Sequence, residues 1–228
     1  DIQVEERPTG EISAGAGIGT SGGALAFGVK ENNWLGTGRS VEFQLDLDEE
    51  SLAGVISLVD PNYDYLGNSL NYFLKSESND KPNQGYENTV VSAGLGTTFE
   101  QYKDLTASIG TSFTYDDLRT LSSASNSLKK NSGEFTDLSF NYGFAYDKRD
   151  RVFMPTSGGI TKFNQSIPIY ADKSFINNSF SYSTYKSLTE DVIGAGKFYI
   201  SAINGLGSDD VRLSKRKNLS VKRLRGFE

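Results

Sequence analysis

The chain has 228 residues, a net charge of −6, 36% hydrophobic residues and a mean hydropathy of −0.43. No run approaches the ~20 consecutive apolar residues that a membrane helix needs, which excludes a helical membrane bundle but not a membrane barrel of half-polar strands. With no Cys and no His, disulfides, Cys nucleophiles, His-based triads and most zinc sites are excluded, and the acidic balance argues against a general nucleic-acid binder.

Residues 1–9 carry Ile2 and Val4 between polar neighbours and then break at Pro8-Thr9-Gly10. This predicts the last strand of a preceding domain followed by a linker, so the chain reads as a piece of something longer. From there one pattern recurs: about ten alternating residues, then a turn. Glu11–Thr20 sets Ile12, Ala14, Ala16 and Ile18 against Ser13, Gly15, Gly17 and Gly19. Gly22–Asn32 follows with Leu25, Phe27 and Val29. Arg39–Asp48 is the clearest case, with Val41, Phe43, Leu45 and Leu47 against Glu42, Gln44, Asp46 and Asp48. Leu52–Val59 is mixed, Asn68–Ser78 carries Leu70, Tyr72 and Leu74, and Glu87–Glu100 carries Val91, Ala93, Leu95 and Phe99. Leu105–Asp116, Asp137–Tyr146, Ile160–Tyr170, Phe175–Leu188 and Val192–Gly205 complete about eleven strands and no helix. In the stretch Leu138, Phe140, Tyr142, Phe144, Tyr146 one face is large and apolar, while Ser139, Asn141, Gly143 and Ala145 make the other small. In a soluble sandwich the apolar face would be core; in a membrane barrel it would meet lipid, with the polar face lining the lumen.

The connections alternate in kind. Residues 32–38, 60–67, 101–104, 147–159 and 187–191 are compact, whereas 76–86 and 117–135 read as long polar loops. Short turns on one side and longer loops on the other fit an outer-membrane barrel, although tight connections near Ser21 and Glu49 fit less well. Aromatics cluster near the compact turns (Trp34, Tyr63, Tyr65, Phe99, Tyr102, Tyr146, Phe153, Tyr185) and at the opposite ends (Tyr86, Tyr115, Phe135, Tyr170, Phe175). Two such belts are what bilayer interfaces select, against the plain alternative that strands favour aromatics everywhere.

Few constellations suggest covalent chemistry. Asp147, Asp150, Glu42, Asp46 and Asp48 could be paired acids or metal ligands, but carboxylates in turns or on a polar strand face are ordinarily solvated. Gly15, Gly17 and Gly19 superficially suggest a phosphate loop, yet no helix follows them. In a strand, alternating glycines mean weak packing and an easily separated edge. Lys215–Lys217 with Lys222, Arg223 and Arg225 form a basic cluster: either a solvated loop or one held in an acidic lumen.

Three motifs carry a resemblance. The run Asn32-Asn33-Trp34-Leu35-Gly36-Thr37-Gly38 resembles the first periplasmic turn of the BamA family of outer-membrane β-barrel assembly factors. The stretch from Phe140 through Asp147, Arg149, Asp150, Pro155, Gly158 and Gly159 resembles the Asp-Arg…Pro-Thr-x-Gly turn of that family, and Leu224-Arg225-Gly226-Phe227 resembles its sixth-loop Val-Arg-Gly-Phe motif, with Leu for Val. They occur in the family's order. The resemblance implies an all-β, antiparallel transmembrane β-barrel of about sixteen strands, of which this chain supplies about the first eleven. It divides the chain into the end of the last POTRA domain with its linker at 1–9, the N-terminal part of the barrel at 10–206, and the start of an inward-folding sixth loop at 207–228.

The resemblance further implies a bacterial outer-membrane insertase that folds client β-barrel proteins. The client-pairing edge would be Glu11, Ile12, Ser13, Ala14, Gly15, Ala16, Gly17, Ile18 and Gly19, and pairing there would be by β-augmentation. Arg225, Gly226 and Phe227 would anchor the sixth loop, and Trp34, Gly36, Gly38, Asp147, Arg149, Asp150, Pro155 and Gly158 would shape the periplasmic turns. The partners implied are the outer-membrane bilayer, client barrels and accessory lipoproteins acting through POTRA domains, with no nucleic acid. No metal, cofactor or enzymatic activity is implied. A two-partner-secretion type transporter or a passive pore of related architecture is the alternative.

Overall fold

A computed structural model describes residues 8–19, 22–83, 85–207, 210–212 and 215–216. Eleven strands lie in one antiparallel sheet in chain order. They are β1 (Gly10–Gly19), β2 (Gly22–Glu31), β3 (Ser40–Asp48), β4 (Ser51–Asp60), β5 (Ser69–Lys81), β6 (Tyr86–Tyr102), β7 (Leu105–Thr120), β8 (Gly133–Asp147), β9 (Ser157–Ala171), β10 (Phe175–Ser187) and β11 (Ile193–Gly205). Each strand pairs with its sequence neighbour, the meander of an up-and-down barrel. The predicted strand of the preceding domain falls at residues 1–7, outside those described.

The register explains the alternation. Val29, Phe43, Ile56 and Leu74 are opposed in succession across β2 to β5, as are Phe27 with Leu45 and Leu25 with Leu47. The acids Glu42, Asp46 and Asp48 fall on the other face, opposite Lys30, Ala26 and Ala24 of β2. β4 looked mixed because both its faces are apolar: Leu52, Ile56 and Leu58 continue the large face while Val55 and Val59 sit on the other.

The chain divides into two compact units, Asp1–Phe99 with Gly110–Thr136 and Glu100–Ile109 with Asp137–Glu228. In the first, β1 to β4 have nine or ten residues each, close to the ~9–11 that a tilted strand needs to cross a bilayer, whereas β6 has 17. Here the structure corrects the expected long loops. Residues 76–81 continue β5 and β7 runs on to Thr120, so the first loop shrinks to 82–85. The second loop contains a one-turn helix, Asn126–Lys129, capped by the Ser125 side chain accepting from the Leu128 amide at 3.3 Å. A strand that projects past the apolar layer has water on both faces, so its hydrophobic alternation fades although its ladder persists.

In the second unit, β8, β9 and β10 hold the even-numbered row in register. Phe140 opposes Ile167, Tyr142 opposes Gln165 and Phe144 opposes Phe163. Phe163 opposes Phe180, and Gln165 opposes Asn178. The Tyr142 hydroxyl donates to Gln165 Oε1 at 2.5 Å, and the Gln165 amide donates to Asn178 Oδ1. A polar rung thus crosses three strands beside the aromatic row of Phe144, Phe163 and Phe180.

Candidate functional site

β1 is a strand of small residues with ladder contacts to β2 from Gly10↔Glu31 to Gly19↔Gly22. Its large face is nearly bare: Ile12 is 77% and Ile18 95% exposed. On the other face, a Cβ added at Gly15 or Gly17 would meet nothing within 4 Å. Beside this strand lies an open hollow of about 770 Å³ lined by Ala16, Ile18, Leu25, Leu47 and their neighbours. Glu11 to Gly19 therefore offer backbone and little else, and among the described residues β1 has β2 as its one strand neighbour. Its loop end is braced from elsewhere: Glu49 accepts from the Gly23 amide at 3.3 Å and lies where any side chain at Gly22, φ +97°, would have to go.

The first motif turn is built on an asparagine. Asn33 Oδ1 accepts from the Gly38 amide at 2.7 Å, the Trp34 amide donates to Arg39 O at 2.8 Å, and Leu35, Gly36 and Gly38 all take positive φ. Trp34 stands half-exposed at the head of a 3₁₀ turn. The next turn on the same side repeats this frame: Asn62 Oδ1 accepts from Gly67 at 2.7 Å and the Tyr63 amide donates to Asn68 O at 3.2 Å, with Tyr65 at φ 62°. The shared pattern, Asn-aromatic-x-x-x-Gly, was present in the sequence but was not singled out there. Arg39 joins the two turns through Asp60 at 2.8 Å.

The second motif turn is braced more heavily. Asp147 takes a forked contact from Arg149, through Nε at 2.8 Å and Nη2 at 2.6 Å. Asp150 accepts from the Thr156 amide at 2.9 Å, the Thr156 hydroxyl at 2.7 Å and the Ser157 amide at 3.1 Å. The Thr156 hydroxyl, followed by the Ser157 amide, holds the Asp150 carboxyl down at about 2. Arg151 Nε donates to Met154 O at 2.8 Å, and Met154 sits at φ 50°. Gly158, φ +85°, passes so close to Lys148 that an added Cβ would fall 2.0 Å from its carbonyl oxygen. Lys148 pairs with Asp104 at 2.8 Å, which raises the lysine pKa. Asp147, Arg149 and Asp150 thus have their polar groups engaged within one turn, beside the close approach of Gly158 to Lys148. Pro155 lies between Met154 and the Asp150 contacts without contributing a donor. Arg225, Gly226 and Phe227 lie outside the described residues.

A meander of antiparallel strands with one large apolar face, one polar face and short braced turns defines an outer-membrane-type β-barrel. The chain belongs to the Omp85 superfamily, whose domain matches residues 33–228. Along its whole length it is similar to the outer membrane protein assembly factor BamA of Neorickettsia risticii, 24% identical over 241 residues, 100% of this chain and 31% of that protein. It is 23% identical over 214 residues to the human sorting and assembly machinery component 50 homolog, covering 92% of this chain and 45% of that one. The crystal structure of BamA from Haemophilus ducreyi lacking POTRA domains 1–3 superposes with a TM-score of 0.78 at 22% identity, over 92% of this chain and 44% of that one, a likeness of fold. The chain spans less than half the length of each of these relatives. The resemblance to the BamA family, the all-β barrel class and the bacterial outer-membrane location are borne out.

Proposed function

We propose that this chain is the N-terminal part of the barrel of an outer-membrane protein assembly factor, and that it acts as an insertase by offering β1 as a template to client β-barrel proteins. The observation that carries this reading is β1 itself: a full backbone ladder on one side with almost no side-chain packing to lose. A client strand that adds to such an edge gains main-chain hydrogen bonds, and separating it again breaks few side-chain contacts. In this reading the chain needs no nucleophile, metal or cofactor and is not an enzyme. Partners of the complete protein are the bilayer, the client barrels and accessory lipoproteins reached through POTRA domains. Residues 1–9 then close the last of those domains, and the loop from 207 onward is the sixth.

Residues 1–228 contain no Cys, so an introduced one is unique within this part of the protein. Cysteines placed in turn at residues 11 to 19 of the full-length protein should cross-link to cysteines in the terminal strand of a client during assembly. Yield should follow one antiparallel register. Clients that assemble at normal rates with no such cross-link would sink the templating mechanism and leave the transporter or pore reading.

A further inference from the structure

Arg212 lies beyond β11, in a stretch that reads as polar loop, yet its side chain is 1% exposed. Its Nη2 donates to Asp137 Oδ2, and Asp137 is itself 4% exposed on its side chain. Lys215 Nζ approaches the same oxygen at 3.6 Å. Both cations stand over one ring, with the Arg212 guanidinium 5.8 Å and the Lys215 ammonium 5.9 Å from the Phe175 centroid. The strand ends meet here. Asp137 opposes Ala171, the last residue of β9, and Phe175, the first of β10, opposes Gly205, the last of β11. Just after that, the Leu206 amide donates to Ser174 O at 2.9 Å.

We propose that Arg212 is the positioning residue that fastens the loop following β11 to the loop-side ends of β8 and β10, an anchor separate from and ahead of the Arg225 motif. A guanidinium and a carboxylate withdrawn from water hold each other because either alone would be left charged in a poorly solvated place. The planar fork fits both a carboxylate edge and an aromatic face, which an ammonium serves less well. Asp137 shares its strand face with Ser139, Asn141 and Gly143, so the anchored chain leaves from the polar side of the sheet. The fixed point is Arg212 with Asp137 and Phe175, and Lys215 stands beside them.

The test is limited trypsinolysis of the folded full-length protein in lipid vesicles, scored at Lys215, Arg216 and Lys217, with heat modifiability reporting barrel folding independently. Wild-type protein should be cleaved there slowly. Arg212→Ala should be cleaved at least tenfold faster with the barrel still folded, Arg212→Lys should fall between, and the exchange Asp137→Arg with Arg212→Asp should restore protection. Equal cleavage of wild type and Arg212→Ala overturns the anchor, as does a charge exchange that protects no better than either single change. If the variants do not fold, hydrogen exchange of the unaltered protein decides: slow exchange over 206–212 supports the anchor, and exchange at the rate of an open turn overturns it. These readouts need no client, so they fail or succeed separately from the templating mechanism.

Discussion

Across β1 and β2 the opposed pairs on the apolar face are Ile12 with Val29, Ala14 with Phe27, Ala16 with Leu25 and Ile18 with Gly23; across β8 and β9 they include Phe140 with Ile167, Tyr142 with Gln165 and Phe144 with Phe163. Both hairpins alternate with the same period, but the second fills its face and the first leaves it open. The turns that serve them differ likewise. The 147–158 turn is held by forked and triply accepting carboxylates, whereas at the loop end of β1 and β2, among the described residues, the Gly23 amide donates to Glu49. Cross-strand side-chain pairs are the main local source of sheet stability, so a strand whose middle is glycine and alanine keeps its ladder while giving up much of what would hold it shut. In the proposed templating mechanism, the filled hairpin stays fixed and the open one is exchanged.

The sharpest way to break this comparison is a charge on the filled face. Phe140→Arg should destabilise the barrel in lipid by roughly 2–4 kcal/mol if it lies near the midplane, while Ser139→Arg, on the other face, should cost far less. Urea unfolding in vesicles measures both. Nitroxides at 140 and 141 check the faces, since better access of a lipid-soluble relaxation agent to 141 would reverse them.

A backbone lesion should come next. Gly158→Ala meets both a positive φ and the Lys148 carbonyl, and should cost on the order of 1–3 kcal/mol. Gly38→Ala has the same backbone problem at φ +73° but open space around it, so it should cost less. Equal losses at the two sites would mean that crowding at 158 is relieved by a shift of the turn. The polar rung gives a smaller effect. Gln165→Leu leaves the Tyr142 hydroxyl and the Asn178 carbonyl without each other's bridge and should cost about 1–2 kcal/mol, most of it recovered when all three positions are made apolar.

On the open side the expected sign reverses. Gly15→Thr enters empty space and adds strand propensity, so it should stabilise the isolated barrel by up to ~1 kcal/mol and slow client assembly. Faster assembly would contradict a mechanism that relies on a weakly packed edge.

The smallest effect is the pH response of the braced turn. Asp150 has its carboxyl lowered to about 2, from an ordinary value near ~3.9 in an unfolded chain. Its contribution is therefore complete above the unfolded value and is lost as pH falls toward the folded one. Protection of the Thr156 and Ser157 amides, taken relative to the intrinsic exchange rate at each pH, should be steady from neutral pH to about pH 4 and fall below that. In Asp150→Asn it should lose this dependence.

Alternation was legible wherever a strand crosses the apolar layer, because one side then meets lipid and the other water. Arg39–Asp48 was read within a residue of β3 for that reason. The motif turns were legible too, since Gly38 and Gly158 stand where the chain takes positive φ and Asp150 stands where amides need an acceptor. The loop-side extensions of β5 and β7 were missed because water on both faces removes the periodic signal. Arg212 was missed because a basic residue in a polar run looks the same whether solvated or paired.

Local chemistry by itself therefore determined the approximate strand count, the faces of the clearly alternating strands and the two motif turns at 32–38 and 147–159: these depend on residues one or two positions apart and on φ preferences that a single residue sets. Register, the polar rung and the Arg212 anchor were decided only by the tertiary structure. They join residues such as Tyr142 with Gln165 and Asp137 with Arg212, which are distant along the chain and carry no mark of each other. Such pairs exist only once the ladders have brought their strands side by side, and the strength of each contact depends on how much water that packing excludes.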